Sequence, residues 1–234
     1  MASLPFPMQP LPWVSARSSL QSLAQLAKGM KAFVTLLFDT SGDLAPVDEL
    51  SHSLIDSPAF TQAIATMKTH PEMAAFLAER YRGPVHDLQA LLHYPPDSLG
   101  YLYAQQMQRL GYQPFEPVMA LDSDSRYVEY RWQKTHDVWH ILTGFDVSEI
   151  GEIGLQAFYL AQFQLPLASL LIANALISVT LLQPEALAPL LSAIARGWQM
   201  GKTARPLIAQ KWEEGWDKPL DQWRAELNLQ PLQG

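Results

Sequence analysis

The sequence predicts an all-α protein, folded as a single-domain multi-helix bundle. Three observations support this prediction. Apolar residues recur every three or four positions through most of the chain, which is the spacing of one buried helix face. Prolines stand where several of these segments begin, a place where the missing N–H costs a helix nothing. No segment shows the sustained alternation of apolar and polar residues that marks a half-buried strand.

The domain organisation follows from length and composition. A chain of 234 residues can bury a sizeable core, and nothing after residue 46 resembles a linker between domains. Residues 1–16 contain four prolines and no charged side chain. They do not resemble a secretory signal, which has a basic start and an unbroken apolar core. We therefore expect a proline-rich tail over residues 1–16 and one helical domain over residues 17–234.

The first half of the domain divides into short helices. Apolar residues at helical spacing predict a helix over residues 18–38, which the polar run 39–43 ends. Prolines at residues 46, 58, 71 and 84 each open a further helix. The ranges expected for these four helices, and for one more that Gly111 closes, are 46–55, 58–69, 71–83, 84–92 and 99–110.

The second half begins with a long helix that starts near residue 122 and ends at Gly144, where glycine is suited to a C-terminal cap. Asp146, with Glu149 three residues later, predicts the N-cap and capping box of the next helix. Further helices are expected over residues 184–198, 207–216 and 220–227. His86 and Asp87 are interpreted as structural.

Residues 153–184 contain no charged side chain. The run is long enough to test as a membrane span, but Pro166 and several polar residues, with no basic flank at either end, argue against one. Two interpretations remain. The segment is either a helix buried on all sides, which composition alone favours, or a helix that lines an apolar cavity or docks on lipid.

Charge and cysteine content exclude several classes of function. The formal net charge is −7 and the basic residues form no cluster, so binding to nucleic acid is not expected. The chain contains no cysteine, which rules out disulfides and thiolate zinc sites and fits a reducing compartment. Any metal ion must therefore be held by imidazole and carboxylate groups.

The strongest candidate for such a site is His136, Asp137, His140 and Glu152. The two histidines are four residues apart, so a helix places both on one face, where two imidazoles can hold one divalent metal ion. Eleven residues separate His140 from Glu152. An antiparallel turn would bring that carboxylate back to the level of the histidines. A surface histidine pair that arose by chance is the simpler alternative.

Other side chains on the same helix extend this prediction. Glu129 and Trp132 continue the stripe of His136 and His140, and Tyr130 lies on a neighbouring face. Aromatic side chains there would wall a pocket beside the metal, although an ordinary core position is the default for each. Lys202 and Arg205 are candidates for binding an anionic headgroup, against the default of solvated surface charge.

The pattern from His136 to Glu152 resembles the signature of the fourth Coq protein of ubiquinone biosynthesis, the Coq-four family. Flanking segments are also similar, over roughly residues 95–229. They are Arg126 to Arg131, Leu142 to Gly144, Gln164 to Pro166, Trp198 to Gly201 and Trp212 to Arg224. The chain departs from the family where Lys134 replaces an acidic or arginine-containing run and where a glycine is missing beside Gln164.

The resemblance implies a prenylquinone biosynthesis protein with an apolar lipid-binding cavity or groove. It implies binding of a polyprenylated aromatic intermediate, oxidative decarboxylation of the ring carboxylate, and contact with other quinone-biosynthesis proteins. His136, Asp137, His140 and Glu152 would be both the metal ligands and the catalytic residues, with zinc favoured over iron or magnesium. Tyr130 would join Lys202 and Arg205 in binding the ligand. A homodimer in the cytoplasm, peripheral to the inner face of a membrane, completes the expectation.

Two other functions stay open at this point. A non-catalytic lipid-binding scaffold would use the metal only for structure. A metal-dependent phosphohydrolase of the His-Asp type would need a further histidine and a distant aspartate, for which His93 and Asp217 are the candidates. Asp137 also has two interpretations, because it lies about 100° around the helix from His136. It is either a fourth ligand or an acceptor that holds the second nitrogen of an imidazole.

Overall fold

The computed structural model describes residues 20–38 and 45–231, and within these ranges the secondary structure is helical without a β-strand. The prediction of an all-α protein is confirmed. The predicted tail over residues 1–16 and the helix break over residues 39–43 lie outside the described ranges. The helices are α1 (Leu20–Phe38), α2 (Ala45–Leu54), α3 (Pro58–Lys68), α4 (Pro71–Glu79), α5 (Leu88–Leu91), α6 (Leu99–Leu110), α7 (Asp124–Thr143), α8 (Glu149–Phe163), α9 (Pro166–Leu182), α10 (Leu187–Thr203) and α11 (Leu220–Glu226).

Most helix ends are where the sequence predicts them. Pro58 and Pro71 stand in the first turns of α3 and α4, and the Ser57 hydroxyl caps α3 by accepting from the Phe60 N–H. Gly111 and Gly144 end α6 and α7 with φ of +70° and +79°, a left-handed conformation that only glycine adopts without strain. The local signals therefore decided these boundaries.

Two predicted helices are wrong. Residues 84–87 are not helical, and α5 starts only at Leu88, because the buried His86 ring is bonded to Tyr103 and Glu213 and the Asp87 carboxylate caps α5. Residues 207–216 form two 3₁₀ turns rather than a helix. The carbonyl oxygen of Gln210 accepts from Arg131 instead of from a helical N–H.

A buried ion pair joins α7 to this C-terminal segment. Arg131 donates two hydrogen bonds to the Glu213 carboxylate, at 2.5 and 2.8 Å, and both side chains are fully buried. Burial alone would raise the pKa of Glu213, but the hydrogen bonds from Arg131 and His86 outweigh it and lower the pKa to about 2. The interpretation of His86 as structural agrees with these contacts.

The charge-free run contributes the end of α8 and all of α9, and it is not buried on all sides. In α9 only Pro166, Leu167, Ala168 and Asn174 are buried, whereas Ile177, Leu181 and Leu182 are 41%, 73% and 62% exposed. The prediction of a fully buried helix is therefore wrong, and the alternative of an apolar lining or docking surface remains. None of the helices in the described ranges combines the length and apolar character needed to cross a membrane.

One cluster of buried apolar side chains contains members from each of the helices α1 to α11. Within it, α8 and α10 approach so closely that their backbones touch at glycine. A Cβ atom added to Gly197 would lie 1.9 Å from the carbonyl oxygen of Gly154, and one added to Gly201 would lie 2.7 Å from that of Phe158. This contact holds α8, which carries Glu152, against the body of the protein.

The substitution Gly197→Ala is expected to destabilise the protein by at least about 2 kcal/mol, since the backbone of α8 must move to admit the methyl group. Urea denaturation would measure the loss as a lower midpoint. Ser192→Ala, at an exposed position of α10, is the matched control and should stay within about 0.5 kcal/mol of the parent. Equal midpoints for the two variants would contradict the close contact.

Glu129 links α7 to α2. Its side chain is fully buried and its Oε1 atom accepts from the Ser51 hydroxyl and, at 2.9 Å, from the Gln133 amide. Its Oε2 atom has no partner within residues 20–38 and 45–231. Burial raises the pKa of Glu129 to about 7, against the hydrogen bonds from Ser51 and Gln133 and the charge of His52.

Glu129 is expected to make stability fall as pH rises from about 4.5 to 7. Below this window both the folded and the unfolded states hold the proton, and within it only the unfolded state releases it. The loss is about 3 kcal/mol at most. The urea midpoint of the parent should fall as pH rises through this window, and Glu129→Gln should lack that part of the fall. Parallel pH profiles would show that Glu129 does not hold its proton in the folded state.

Candidate metal centre

The two histidines of α7 point to one place. His136 and His140 are one helical turn apart, their ring centroids are 4.8 Å apart, and their Nε2 atoms lie 3.2 Å from each other. Four-residue spacing on a helix produces this arrangement. The predicted shared face is therefore present, with both Nε2 atoms turned toward the same space.

The chain reverses between α7 and α8. Gly144 ends α7, and α8 starts at Glu149 with Ser148 as its N-cap, whose hydroxyl accepts from the Gly151 N–H. The prediction that Asp146 caps α8 is wrong, because the Asp146 carboxylate instead accepts from the backbone and hydroxyl of Ser148. It supports the capping residue rather than the helix.

Glu152 lies in the first turn of α8 and returns to the histidines as predicted. Its Oε1 atom is 3.1 Å from Nε2 of His140 and its Oε2 atom is 3.4 Å from Nε2 of His136. One ligand atom from each residue lies within 4.8 Å of the others, so that a single ion can contact all three. We call these three residues, His136, His140 and Glu152, the His-His-Glu cluster.

Hydrogen bonds behind the cluster hold both rings. Nδ1 of His140 is 2.9 Å from the carbonyl oxygen of Phe145. Because a carbonyl only accepts, this nitrogen carries a proton, and the lone pair of a neutral His140 ring is on Nε2, facing the cluster. Nδ1 of His136 is 2.9 Å from the Tyr159 hydroxyl. Contacts of this kind orient metal-binding imidazoles.

The electrostatics of the cluster favour an ionised carboxylate. Burial opposes ionisation of Glu152, but the hydrogen bonds and positive charge of His136 and His140 outweigh it and hold the pKa of that carboxyl far below its usual range. Burial likewise opposes protonation of His140, yet Glu152 raises its pKa. His140 is buried, whereas His136 and Glu152 are partly exposed, so the cluster is open on one side.

The donor set fits a divalent metal ion. Two imidazole nitrogens and one carboxylate oxygen are the ligands of catalytic zinc sites, which leave a fourth position for water or substrate. The same set also suits ferrous iron. Magnesium prefers a shell made only of oxygen and fits less well.

Asp137 stands apart from the His-His-Glu cluster. Its side chain is half-buried, and its charge helps to raise the pKa of His140. In the described part of the chain no hydrogen bond joins Asp137 to an imidazole, and the second nitrogens of the rings contact Phe145 and Tyr159 instead. The interpretation of Asp137 as the acceptor for a ring nitrogen is therefore wrong in this structure.

The predicted ligand-binding residues Tyr130, Lys202 and Arg205 make no hydrogen bond or ion pair with the cluster. Tyr130 donates to Glu116 at 2.7 Å and lies 3.3 Å from the Lys134 amine. Arg205 is paired with Glu72 at 2.7 Å, and Lys202 is exposed on α10. Glu129, on the predicted stripe, is bonded to Ser51 and Gln133 rather than to the cluster.

Sequence reasoning missed Tyr159, which is fully buried beside His136. It lies seven residues after Glu152, two helical turns along the same face of α8, and that spacing is a signal that could have identified it. Trp132 is the one predicted aromatic neighbour that contacts a ligand, with its ring edge-on to His136 at 6.0 Å. Trp139 packs on Tyr159 in the core.

An open pocket of about 380 Å³ lies beside His140, between α6 and the turn after α7. Its polar lining includes Gln105, Gln106 and Arg109 of α6. Arg109 is exposed and has no ion pair within the described ranges. The sequence did not identify Arg109 as a candidate, because nothing in the residues around it indicates that α6 faces the end of α7.

Comparison with known proteins places this chain in a family. Residues 18–233 match the family model described as coenzyme Q (ubiquinone) biosynthesis protein Coq4. A mitochondrial ubiquinone biosynthesis protein COQ4 homolog of Mus musculus is 31% identical over 172 residues, 70% of this chain and 63% of that protein. The Neurospora crassa relative, also named mitochondrial, is 29% identical over 212 residues, 83% and 59% of the two chains.

A solved structure supports the same assignment. The crystal structure of a chain described as a ubiquinone biosynthesis protein from Nostoc punctiforme superposes with a TM-score of 0.79 at 31% identity. The match covers 86% of this chain and 97% of that one. By contrast, the chain spans about half the length of several curated relatives that it matches. The chain therefore belongs to the Coq4 family of coenzyme Q (ubiquinone) biosynthesis proteins.

Proposed function

We propose that this ubiquinone biosynthesis protein binds a polyprenylated aromatic intermediate with its ring at the His-His-Glu cluster, and that it removes the ring carboxylate with the help of a divalent metal ion. The observation that carries the proposal is the convergence of His136, His140 and Glu152 on one partly open space. Membership of the Coq4 family supports a role in ubiquinone biosynthesis, and the cluster supports metal-assisted removal of the carboxylate.

A divalent ion held by His136, His140 and Glu152 would supply the positive charge that stabilises a carboxylate or phenolate oxygen. Neighbouring residues of the chain orient these ligands and keep the carboxylate ionised. The Phe145 carbonyl turns the lone pair of a neutral His140 toward the cluster, and Glu152 is kept ionised beside it. Zinc, the favoured ion, has no redox chemistry. Oxidative decarboxylation would need an oxidant such as dioxygen with either ion, and ferrous iron, which suits the same ligands, could pass electrons to that oxidant.

The pocket beside His140 is suited to the polar end of the substrate. A guanidinium forks onto a carboxylate with two parallel hydrogen bonds, and Arg109 lies at the pocket without a carboxylate partner in the described residues. Gln105 and Gln106 add amide donors. We therefore assign recognition of the ring carboxylate to Arg109, in place of Lys202 and the already paired Arg205.

The surface of α9 is suited to the prenyl tail and to a membrane. Leu176, Ile177, Thr180 and Leu181 line an open groove of about 340 Å³, in a helix without charged side chains. An exposed apolar patch on a protein of this size usually marks a lipid or protein contact. Peripheral docking through α9 would let a long prenyl chain stay in lipid while its ring reaches the protein.

The metal and substrate parts are tested by native mass spectrometry and an activity assay on the parent protein and His140→Ala. We expect a bound divalent ion, an adduct of prenyl-lipid mass, and release of carbon dioxide from a prenylated hydroxybenzoate. His140→Ala should lose the ion, with at least about 10-fold weaker affinity, because one of three ligands is gone. His93→Ala, which removes an exposed histidine that follows α5 and is bonded to the Gln89 carbonyl oxygen, is the control.

Three results would change the proposal. Equal metal content in the parent and His140→Ala would rule out the cluster as the metal site. Lipid binding without turnover in the metal-loaded parent would favour the non-catalytic scaffold. Phosphatase activity would favour the His-Asp phosphohydrolase, although neither His93 nor Asp217 belongs to the His-His-Glu cluster.

The docking part is tested by flotation with neutral phosphatidylcholine vesicles. The double variant Ile177→Asp, Leu181→Asp is expected to lose most vesicle binding, because two charges on the apolar face of α9 must stay in water. Val118→Asp changes a fully exposed side chain in the loop before α7 and should bind as the parent does. Unchanged flotation would contradict docking through α9, and conversion of a dimer to a monomer would instead make α9 a homodimer surface.

A further inference from the structure

The hydroxyl of Tyr159 contacts Nδ1 of His136, the ring nitrogen that does not face the His-His-Glu cluster. It lies 2.9 Å from Nδ1 of His136, and the two rings are stacked. Tyr159 is fully buried and is surrounded by the rings of Trp132, Trp139 and Phe163. Such packing leaves the tyrosine ring little freedom, so its hydroxyl hydrogen can rotate while its oxygen stays in place.

The direction of this hydrogen bond depends on what Nε2 of His136 faces. Nε2 of His136 lies 3.4 Å from the Oε2 atom of Glu152, and a carboxylate can only accept a hydrogen bond. When no cation is present, the proton of a neutral His136 ring is therefore favoured on Nε2, where Glu152 accepts it. Nδ1 of His136 is then an acceptor, and the Tyr159 hydroxyl donates to it.

A cation held by the cluster would reverse this bond. The ion requires the lone pair of His136 Nε2, so the ring proton must be on Nδ1, where it is donated to the Tyr159 oxygen. The Tyr159 O–H then has no acceptor on His136. A buried hydroxyl without a partner costs about 1–3 kcal/mol, which would weaken metal binding unless another acceptor is within reach.

Gln156 offers that acceptor. Its side chain is buried and its Oε1 atom has no partner in the described part of the chain. Gln156 is three residues before Tyr159 and four after Glu152, so the three side chains are neighbours on one face of α8. The buried N–H of Trp132, whose ring is edge-on to Tyr159, also lacks a partner in that part of the chain and can donate to the Tyr159 oxygen. Unpaired buried polar atoms are uncommon and call for a physical reason.

We propose that Gln156 is a positioning residue for the metal centre. Its amide oxygen accepts the Tyr159 hydroxyl when a cation occupies the cluster, and the Gln156–Tyr159 pair thereby holds His136 in the tautomer that binds metal. In the described part of the chain the same oxygen is buried and has no other partner. The inference rests on the metal site proposed above and adds two residues that do not touch the ion.

The test is calorimetric titration of the chelator-stripped protein with Zn²⁺, combined with urea denaturation of the metal-free form. Gln156→Leu removes the unpaired oxygen, so the metal-free protein should be as stable as the parent or more stable. Its Zn²⁺ affinity should fall by about 10-fold or more. The Zn²⁺ affinity of Tyr159→Phe should fall by a similar factor. The affinity of the double variant should fall no further than that of Tyr159→Phe alone, since the two residues act through one hydrogen bond.

Gln162→Leu is the matched control on the same helix. The Gln162 side chain is bonded to Gly201, Ala204 and Leu207. Its loss should lower the stability of the metal-free protein while leaving Zn²⁺ affinity unchanged. Gln156→Leu is thus expected to lower Zn²⁺ affinity without lowering the stability of the metal-free protein. Gln162→Leu is expected to lower that stability without changing Zn²⁺ affinity.

Each other result decides against the inference. If Gln156→Leu binds Zn²⁺ as tightly as the parent, Gln156 does not position His136, although the metal site stands. If Gln156→Leu lowers both affinity and metal-free stability, its role is structural. If the parent and His140→Ala bind Zn²⁺ equally, the metal site itself fails, and this inference fails with it.

Discussion

The reversal of the chain after Gly144 is the constraint on which the candidate site depends. Phe145, the next residue, makes two contacts that span the turn. Its carbonyl oxygen bonds to Nδ1 of His140, and its ring packs against Gly154 of α8, where a Cβ atom would lie only 2.3 Å from the ring. The residue that orients a histidine on one helix therefore also sets the distance to the helix that carries Glu152.

The rest of the fold fixes these two helices in place. The buried Arg131–Glu213 pair ties α7 to the C-terminal segment, and the glycine contacts of Gly197 hold α8 against α10. A buried ion pair contributes little net stability, but an unpaired charge at that position would cost several kcal/mol. An arrangement of α7 and the C-terminal segment that separated the two buried charges would bear that cost. The cluster consequently lies between two helices that are each anchored elsewhere.

The polar and apolar surfaces proposed to bind the ligand lie on different helices. The His-His-Glu cluster and the pocket with Arg109 are at one end of α7, and the charge-free surface belongs to α9. A substrate with a charged ring and a long hydrocarbon tail needs both kinds of surface in one molecule. The proposed function uses each surface for the part of the ligand whose solvation it matches.

The sequence alone determined the helical class, most helix ends and the His-His-Glu cluster. These features follow from local rules, namely helical periodicity, the conformations of proline and glycine, and the four-residue spacing of His136 and His140. It also identified the charge-free run, but not which side of α9 stays exposed. Whether an uncharged helix is buried depends on its neighbours, and α9 is covered mainly near its start.

Only the tertiary structure decided the remaining features. Asp146 and Ser148 are both good N-caps by residue type, and the path of the turn selected Ser148. His86, far from Glu213 in sequence, is drawn into the core and shortens α5. Arg109 reaches the pocket beside His140 through packing that no local pattern encodes. Contacts between residues distant in the chain follow from how helices meet, which is set by the shapes of all their side chains together.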